Sequence, residues 1–175
     1  MGGDAGPSAV VGGVAKKNPE LRFILHGPKP VLEKLVAKHE VLNERVDIRH
    51  ATGVVTMHDK PSHIMRHGQD TSMWSAIEAV RDKEAEVAVS CGNTGALMLL
   101  SMLRLRKLPG VNRPAIACLW PSTNPGGFNV MLDVGADIRA DAEDLLQYAL
   151  MGAAYARNGL DIARPRIGLL NIGTE

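Results

Sequence analysis

A chain of 175 residues carries enough material for one domain with a substantial core. Its 20 Lys and Arg against 19 Asp and Glu give a net charge of +1, and Phe, Tyr and Trp occur twice each, so neither a cationic field nor a set of stacking platforms points to nucleic acid. No basic-plus-apolar leader opens the sequence, apolar runs such as Ala96 to Leu100 are far too short to span a bilayer, and Cys91 and Cys118 make no disulfide framework and read as reduced core residues of a cytosolic protein.

Strand-length apolar runs alternate with helix-length amphipathic runs, the pattern of a mostly parallel sheet covered by helices. The first expected helix runs from Pro7 to Lys17, with Pro7 preset for an early helical position. A strand at Leu21–Leu25 follows. Pro30 to His39 carries Val31, Leu32, Leu35 and Val36 on one stripe, with Glu33, Lys34 and Lys38 facing away. A second strand is expected at Val46–Arg49, a helix from Ser72 to Lys83, and a third strand at Glu86–Ser90. Asn93 to Leu108 reads as a helix apolar nearly all round, hence buried, with attachment to a membrane surface as the alternative. Strands at Ala115–Leu119 and Asn129–Val134 flank the Pro121 to Gly127 loop, whose two prolines and two glycines make a turn. Asp141 to Asn158 opens with Asp141, Glu143 and Asp144 at the positive end of the helix dipole and closes at Gly159; a last strand spans Arg166–Ile172.

The most informative stretch is Ser90-Cys91-Gly92-Asn93-Thr94-Gly95-Ala96, where a strand pattern breaks at glycine and restarts as a helix. Such a turn leaves backbone N–H groups without partners at the positive end of the dipole. Gly92 and Gly95 allow close approach of a ligand, and the Asn93 amide and Thr94 hydroxyl can either add hydrogen bonds or cap the helix. Two readings stay open: a cradle for phosphate or carboxylate, and an ordinary capped turn. The six histidines show no metal-ligand spacing tied to a carboxylate, although His63 and His67 stand four apart, so no metal or other cofactor is expected.

Met1-Gly2-Gly3-Asp4 opens directly on a glycine pair, and the strand pattern near Ile172 feeds no covering helix, so the chain reads as a single α/β domain that is part of a longer protein. In order along it stand Met1-Gly2-Gly3-Asp4, Met57-His58-Asp59-Lys60-Pro61, Arg66 with Thr71-Ser72-Met73, Val89 to Met98, Arg113-Pro114-Ala115, Leu132-Asp133-Val134-Gly135-Ala136, and Leu169-Leu170-Asn171-Ile172-Gly173. These seven blocks resemble the bacterial phosphate acyltransferase family of phospholipid synthesis, and specifically its N-terminal half.

The resemblance implies a three-layer α/β/α fold related to isocitrate and isopropylmalate dehydrogenases. It implies transfer of the acyl group of acyl-acyl carrier protein to inorganic phosphate, by a homodimer in the cytoplasm near the inner face of the membrane. The site residues it implies are Asn93, Thr94 and Ser72 around the reacting groups, and Gly92, Gly95, Gly3, Asp4, Lys60 and Arg66 for phosphate, the last two also as charge partners of an acidic carrier protein. The plain alternative for Ser72 is a helix cap. Three stretches depart from the family pattern: Cys91 where Ala is common, His67-Gly68-Gln69-Asp70 where further basic residues are usual, and Asp137 where Asn is usual. The missing cations weaken the case for a carrier-protein contact there. Two other enzyme readings and one non-enzymatic reading remain. A nicotinamide-dependent dehydrogenase is disfavoured because no G-x-G-x-x-G follows the first strand. A phosphotransacetylase-like enzyme on a smaller acyl thioester and a non-catalytic anion-binding or dimerising module are the alternatives.

Overall fold

The computed structural model describes residues 3–124, 126–134 and 140–170. Met1, Gly2, Pro125, the Gly135-Ala136 pair, Asp137 and the Asn171-Ile172-Gly173 end of the last expected strand lie outside the described residues. The chain divides into two compact units, Met1–Arg106 and Lys107–Glu175. Both contain helices and strands, a mixed α/β protein.

In the first unit, helix α1 (Gly6–Ala15) has its proline in the first turn and packs on α2 (Lys29–Val36). Strands β1 (Phe23–Gly27) and β2 (Val46–His50) pair in parallel from Phe23↔Val46 to Gly27↔His50. Strand β1 starts two residues later than expected because the Arg45 guanidinium grips the carbonyls of Leu21 (3.1 Å) and Asn18 (2.7 Å) and holds residues 18–22 in a turn. Val11, Leu25, Leu32 and Leu42 form one buried cluster between α1, α2 and this pair.

Helices α3 (Pro61–His67), α4 (Ser72–Arg81) and α5 (Thr94–Arg104) build a second cluster from Val55, Ile64, Met73, Ile77, Ala96 and Leu100. Helix α5 stops at Arg104, four residues short of the expected end. Arg104 is drawn back to the Glu78 carboxylate and over the Trp74 ring (5.2 Å), and Arg106 turns left-handed at φ 67. Leu103, Leu105 and Leu108 are exposed, so the apolar band is buried only on its Ala96 and Leu100 side.

Residues 86–90, expected as a strand, have no ladder partner and form no strand among the described residues. The period of two is present, since Ala88 packs on the second cluster while Val87 and Val89 are 72% and 82% exposed. A strand forms only when a neighbour takes its backbone groups, and the apolar pattern does not supply that neighbour. The same holds for residues 166–170, where Ile167, Leu169 and Leu170 are exposed. Cys91, expected in the core, is exposed for this reason.

In the second unit, β3 (Ala117–Pro121) and β4 (Phe128–Leu132) form an antiparallel hairpin, closed by the Ser122 N–H donating to the Gly127 carbonyl at 2.9 Å. Gly127 takes φ +76, the left-handed turn position that the loop composition predicts. Helix α6 (Ala142–Leu160) begins with a capping box in which the Asp141 carboxylate accepts from Glu143 and Asp144 N–H groups at 2.9 Å each. It runs through Gly159, the expected end, and stops when Asp161 adopts φ 55, so the carbonyl of Ala156 is satisfied by the Asp161 and Ile162 N–H groups. Gly152 faces β4 so closely that a Cβ there would lie 2.9 Å from Leu132 Cδ1.

Candidate functional site

The Asn93 side chain resolves one ambiguity of its loop. Its Oδ1 accepts the Ala96 N–H at 3.0 Å, an N-cap for α5. Its Nδ2 donates to the carbonyls of Thr56 and Asp59, 3.1 Å each, with Met57 at 3.4 Å. Both ends of the amide are therefore spent inside the protein, with the residue 8% exposed, and Asn93 ties the Met57-His58-Asp59-Lys60 block to the helix start.

That block is itself internally braced. The Asp59 carboxylate accepts the Thr56 N–H at 2.7 Å, which holds its carboxyl below the ordinary range, with His63 and His58 adding to the effect. Lys60 then leads into α3.

The N-terminal block meets the same loop from another side. A Cβ on Gly3 would lie 2.9 Å from the Cys91 carbonyl oxygen and 3.0 Å from Cys91 Cβ, a contact that only glycine permits. The Gly6 N–H closes a turn onto the Gly3 carbonyl at 3.0 Å, with Asp4 exposed inside it. The structure thus brings Gly3, the loop from Cys91 to Gly95, and the segment leading to Lys60 together. At the start of α5, the N–H groups of Thr94 and Gly95 find no acceptor among the described residues, and Thr94 is exposed.

Ser72 does not cap α4. Its neighbour Thr71 does, its Oγ1 accepting from Trp74 N–H at 3.3 Å while donating to the Gly68 carbonyl at 2.6 Å. The sequence offers two adjacent hydroxyls and no signal to choose between them. Ser72 is 8% exposed, its N–H bonds the Gly53 carbonyl at 3.0 Å, and its hydroxyl has no hydrogen bond among the described residues. Lys60 and Arg66 line one concavity of about 230 Å³ on α3. No group of three metal-ligating side chains occurs among the described residues, and no described helix is long and apolar enough to cross a membrane.

One contact that sequence reading missed is His26 Nδ1 to Ser75 Oγ, 2.8 Å, between β1 and α4. Burial, then the Arg49 cation, push the imidazole from 6.5 down to about 4. Between those values the unfolded chain binds a proton that the folded chain refuses, so stability falls as pH drops through that window. We expect a loss on the order of 1 kcal/mol after allowing for solvent screening of this half-exposed group. Urea unfolding of the full-length protein at pH 7 and pH 4.5 checks it, and His26→Gln should flatten that part of the profile. An unchanged slope in the variant would assign the acid sensitivity elsewhere.

Known proteins resemble this chain over its whole extent. The family described as "Fatty acid synthesis protein" matches residues 1–175. A phosphate acyltransferase of Jannaschia sp. (strain CCS1) is 75% identical over 178 residues, covering 100% of this chain and 49% of the relative. Phosphate acyltransferases of Paracoccus denitrificans (strain Pd 1222) and Ruegeria sp. (strain TM1040) are 71% and 70% identical, each covering 100% of this chain and 48% of the relative. The chain spans about half the length of the curated relatives it matches. The match runs over the whole chain that carries the seven ordered blocks, and the chain belongs to the fatty acid synthesis protein family, alongside the phosphate acyltransferases.

Proposed function

We propose that this chain forms the phosphate-holding part of an enzyme that transfers an acyl group from acyl-acyl carrier protein to inorganic phosphate, producing acyl phosphate for phospholipid synthesis. The observation that carries this reading is the match to phosphate acyltransferases along all 175 residues. A phosphate oxygen attacks the thioester carbonyl, the C–O bond forms, the C–S bond breaks, and the carrier thiolate leaves and takes up a proton. Phosphate is already a nucleophile and the thioester already activated, so the protein must hold, orient and stabilise charge.

The free N–H groups of Thr94 and Gly95, with the Thr94 hydroxyl, suit the phosphate oxygens at the positive end of α5. Gly92 and Gly3 keep the approach open, Asp4 borders it, and the unbonded Ser72 hydroxyl is a second contact. Lys60 and Arg66 supply charge for phosphate or for the acidic carrier protein. Asn93 acts by positioning, since its amide is engaged within the protein. The wider reading is one α/β domain within a three-layer, mostly parallel dehydrogenase-like fold, in a cytoplasmic homodimer reaching the inner face of the membrane, with no cofactor.

Phosphate-dependent cleavage of acyl-acyl carrier protein by the full-length enzyme, with acyl phosphate as product, tests the reading. Cleavage independent of phosphate, or restricted to short acyl thioesters, would sink it. Cys91→Ala gives a sharper check. With phosphate as nucleophile, the exposed Cys91 thiol has no covalent role, so activity should be unchanged and stability should move by less than about 0.5 kcal/mol. An acyl group trapped on Cys91 would overturn the mechanism.

A further inference from the structure

The concavity on α3 is lined by Lys60, Ser62, His63, Arg66 and His67, all exposed. The histidines stand four apart, which puts them on one face of the helix, and their ring centroids are 4.9 Å apart. Four basic side chains thus line one exposed face where the sequence, lacking the usual basic residues after Arg66, had weakened the case for a contact. Four other cations are neutralised: Lys29 pairs with Glu33, Arg49 with Glu84, Arg81 with Glu78 and Asp82, and Arg104 with Glu78. Lys60 and Arg66 have no carboxylate partner among the described residues. Asp59, next to Lys60 in the chain, already accepts the Thr56 N–H and lies within electrostatic reach of His63.

We propose that this face of α3 is the docking surface for the acidic face of the carrier protein, an inference that rests on the proposed function. The basic groups span about 10 Å along the chain of α3 at 1.5 Å per residue, a reach that suits a row of carboxylates rather than one phosphate ion. Each is solvent-exposed, whereas a site for a small anion surrounds it with converging donors. The helix spends Ile64 in the core and so presents no broad apolar face for insertion into lipid. Long-range attraction between such surfaces raises the rate of encounter and is weakened by salt.

The test compares full-length wild-type enzyme with the His63→Glu/His67→Glu double variant, and with His63→Gln/His67→Gln, which removes the imidazoles without adding charge. Binding of fluorescently labelled acyl carrier protein is followed by anisotropy, a readout independent of turnover. We expect affinity to fall ~10-fold or more in the Glu variant and less in the Gln variant, with the wild-type affinity declining as salt rises. KM for phosphate should stay unchanged and KM for acyl-acyl carrier protein should rise. Equal carrier affinity in wild type and both variants overturns the proposal, as does absence of wild-type binding. A rise in KM for phosphate alone would make the concavity a small-anion site. Loss of binding only to vesicles of phosphatidylglycerol and phosphatidylethanolamine in equal parts would make it a lipid contact. The thioester cleavage assay decides the proposed function separately.

Discussion

Asn93→Ala is expected to lower the unfolding free energy of the full-length protein by about 3 kcal/mol, since the change removes a helix cap and two amide donors, each worth about 1 kcal/mol. The loss has a direction that a simple cap does not share. Without the amide, the carbonyls of Thr56 and Asp59 lose the donor that holds residues 56–60 against α5, so the loop and the helix start separate. Asn93→Ser keeps a good cap and loses only the donors, and should recover about 1 kcal/mol. Turnover should fall in both variants, because the free N–H groups of Thr94 and Gly95 no longer point to a fixed place. Chemical denaturation and steady-state kinetics on the two variants check this. An Asn93→Ala protein within about 0.5 kcal/mol of wild type would show that the clamp contributes nothing.

Gly68→Ala is expected to cost about 2 kcal/mol or more, the range for forcing atoms into filled space. A Cβ at residue 68 would lie 2.5 Å from the Ile64 carbonyl oxygen and 2.6 Å from Ile64 Cγ2. Backbone conformation is not the obstacle, since φ is -88. The obstacle is contact, and moving the residue away breaks its bonds to Thr71, the cap of α4. Gly12→Ala in α1 is the control: nothing lies within 4 Å of a Cβ there, so it should stabilise by about 0.5–1 kcal/mol through helix propensity alone. Thermal unfolding of both variants reads the opposite signs. A Gly68→Ala protein as stable as wild type would mean that Ile64 yields freely.

Helices were legible wherever an apolar stripe combined with a start signal, as at Asp141 and Pro7. Their ends were not. Asp161 rather than Gly159 ends α6, because an aspartate accepts left-handed backbone at modest cost, and neither residue type alone announces which will do so. Strand pairing was the larger loss. The alternation at residues 86–90 is visible in the sequence, yet pairing depends on chain that lies far away, and no local pattern encodes it. In the site, the glycine-bounded turn could be read directly, and the Asn93 cap was one of two roles left open for its amide. The bonds from Asn93 to Thr56 and Asp59 cross more than thirty residues of sequence, and the concave grouping of His63 and His67 with Lys60 and Arg66 appears only once α3 is a helix.

The division at Arg106 and Lys107 has a consequence for how the protein is made. Both buried clusters, from Val11 to Leu42 and from Val55 to Leu100, are complete within the first unit, as is the turn at Gly3 that seats against Cys91. Synthesis at about 5–20 residues per second delivers that unit before α6 has been made. Its packing and the Gly3 turn can thus be established on the ribosome while the second unit is still being made.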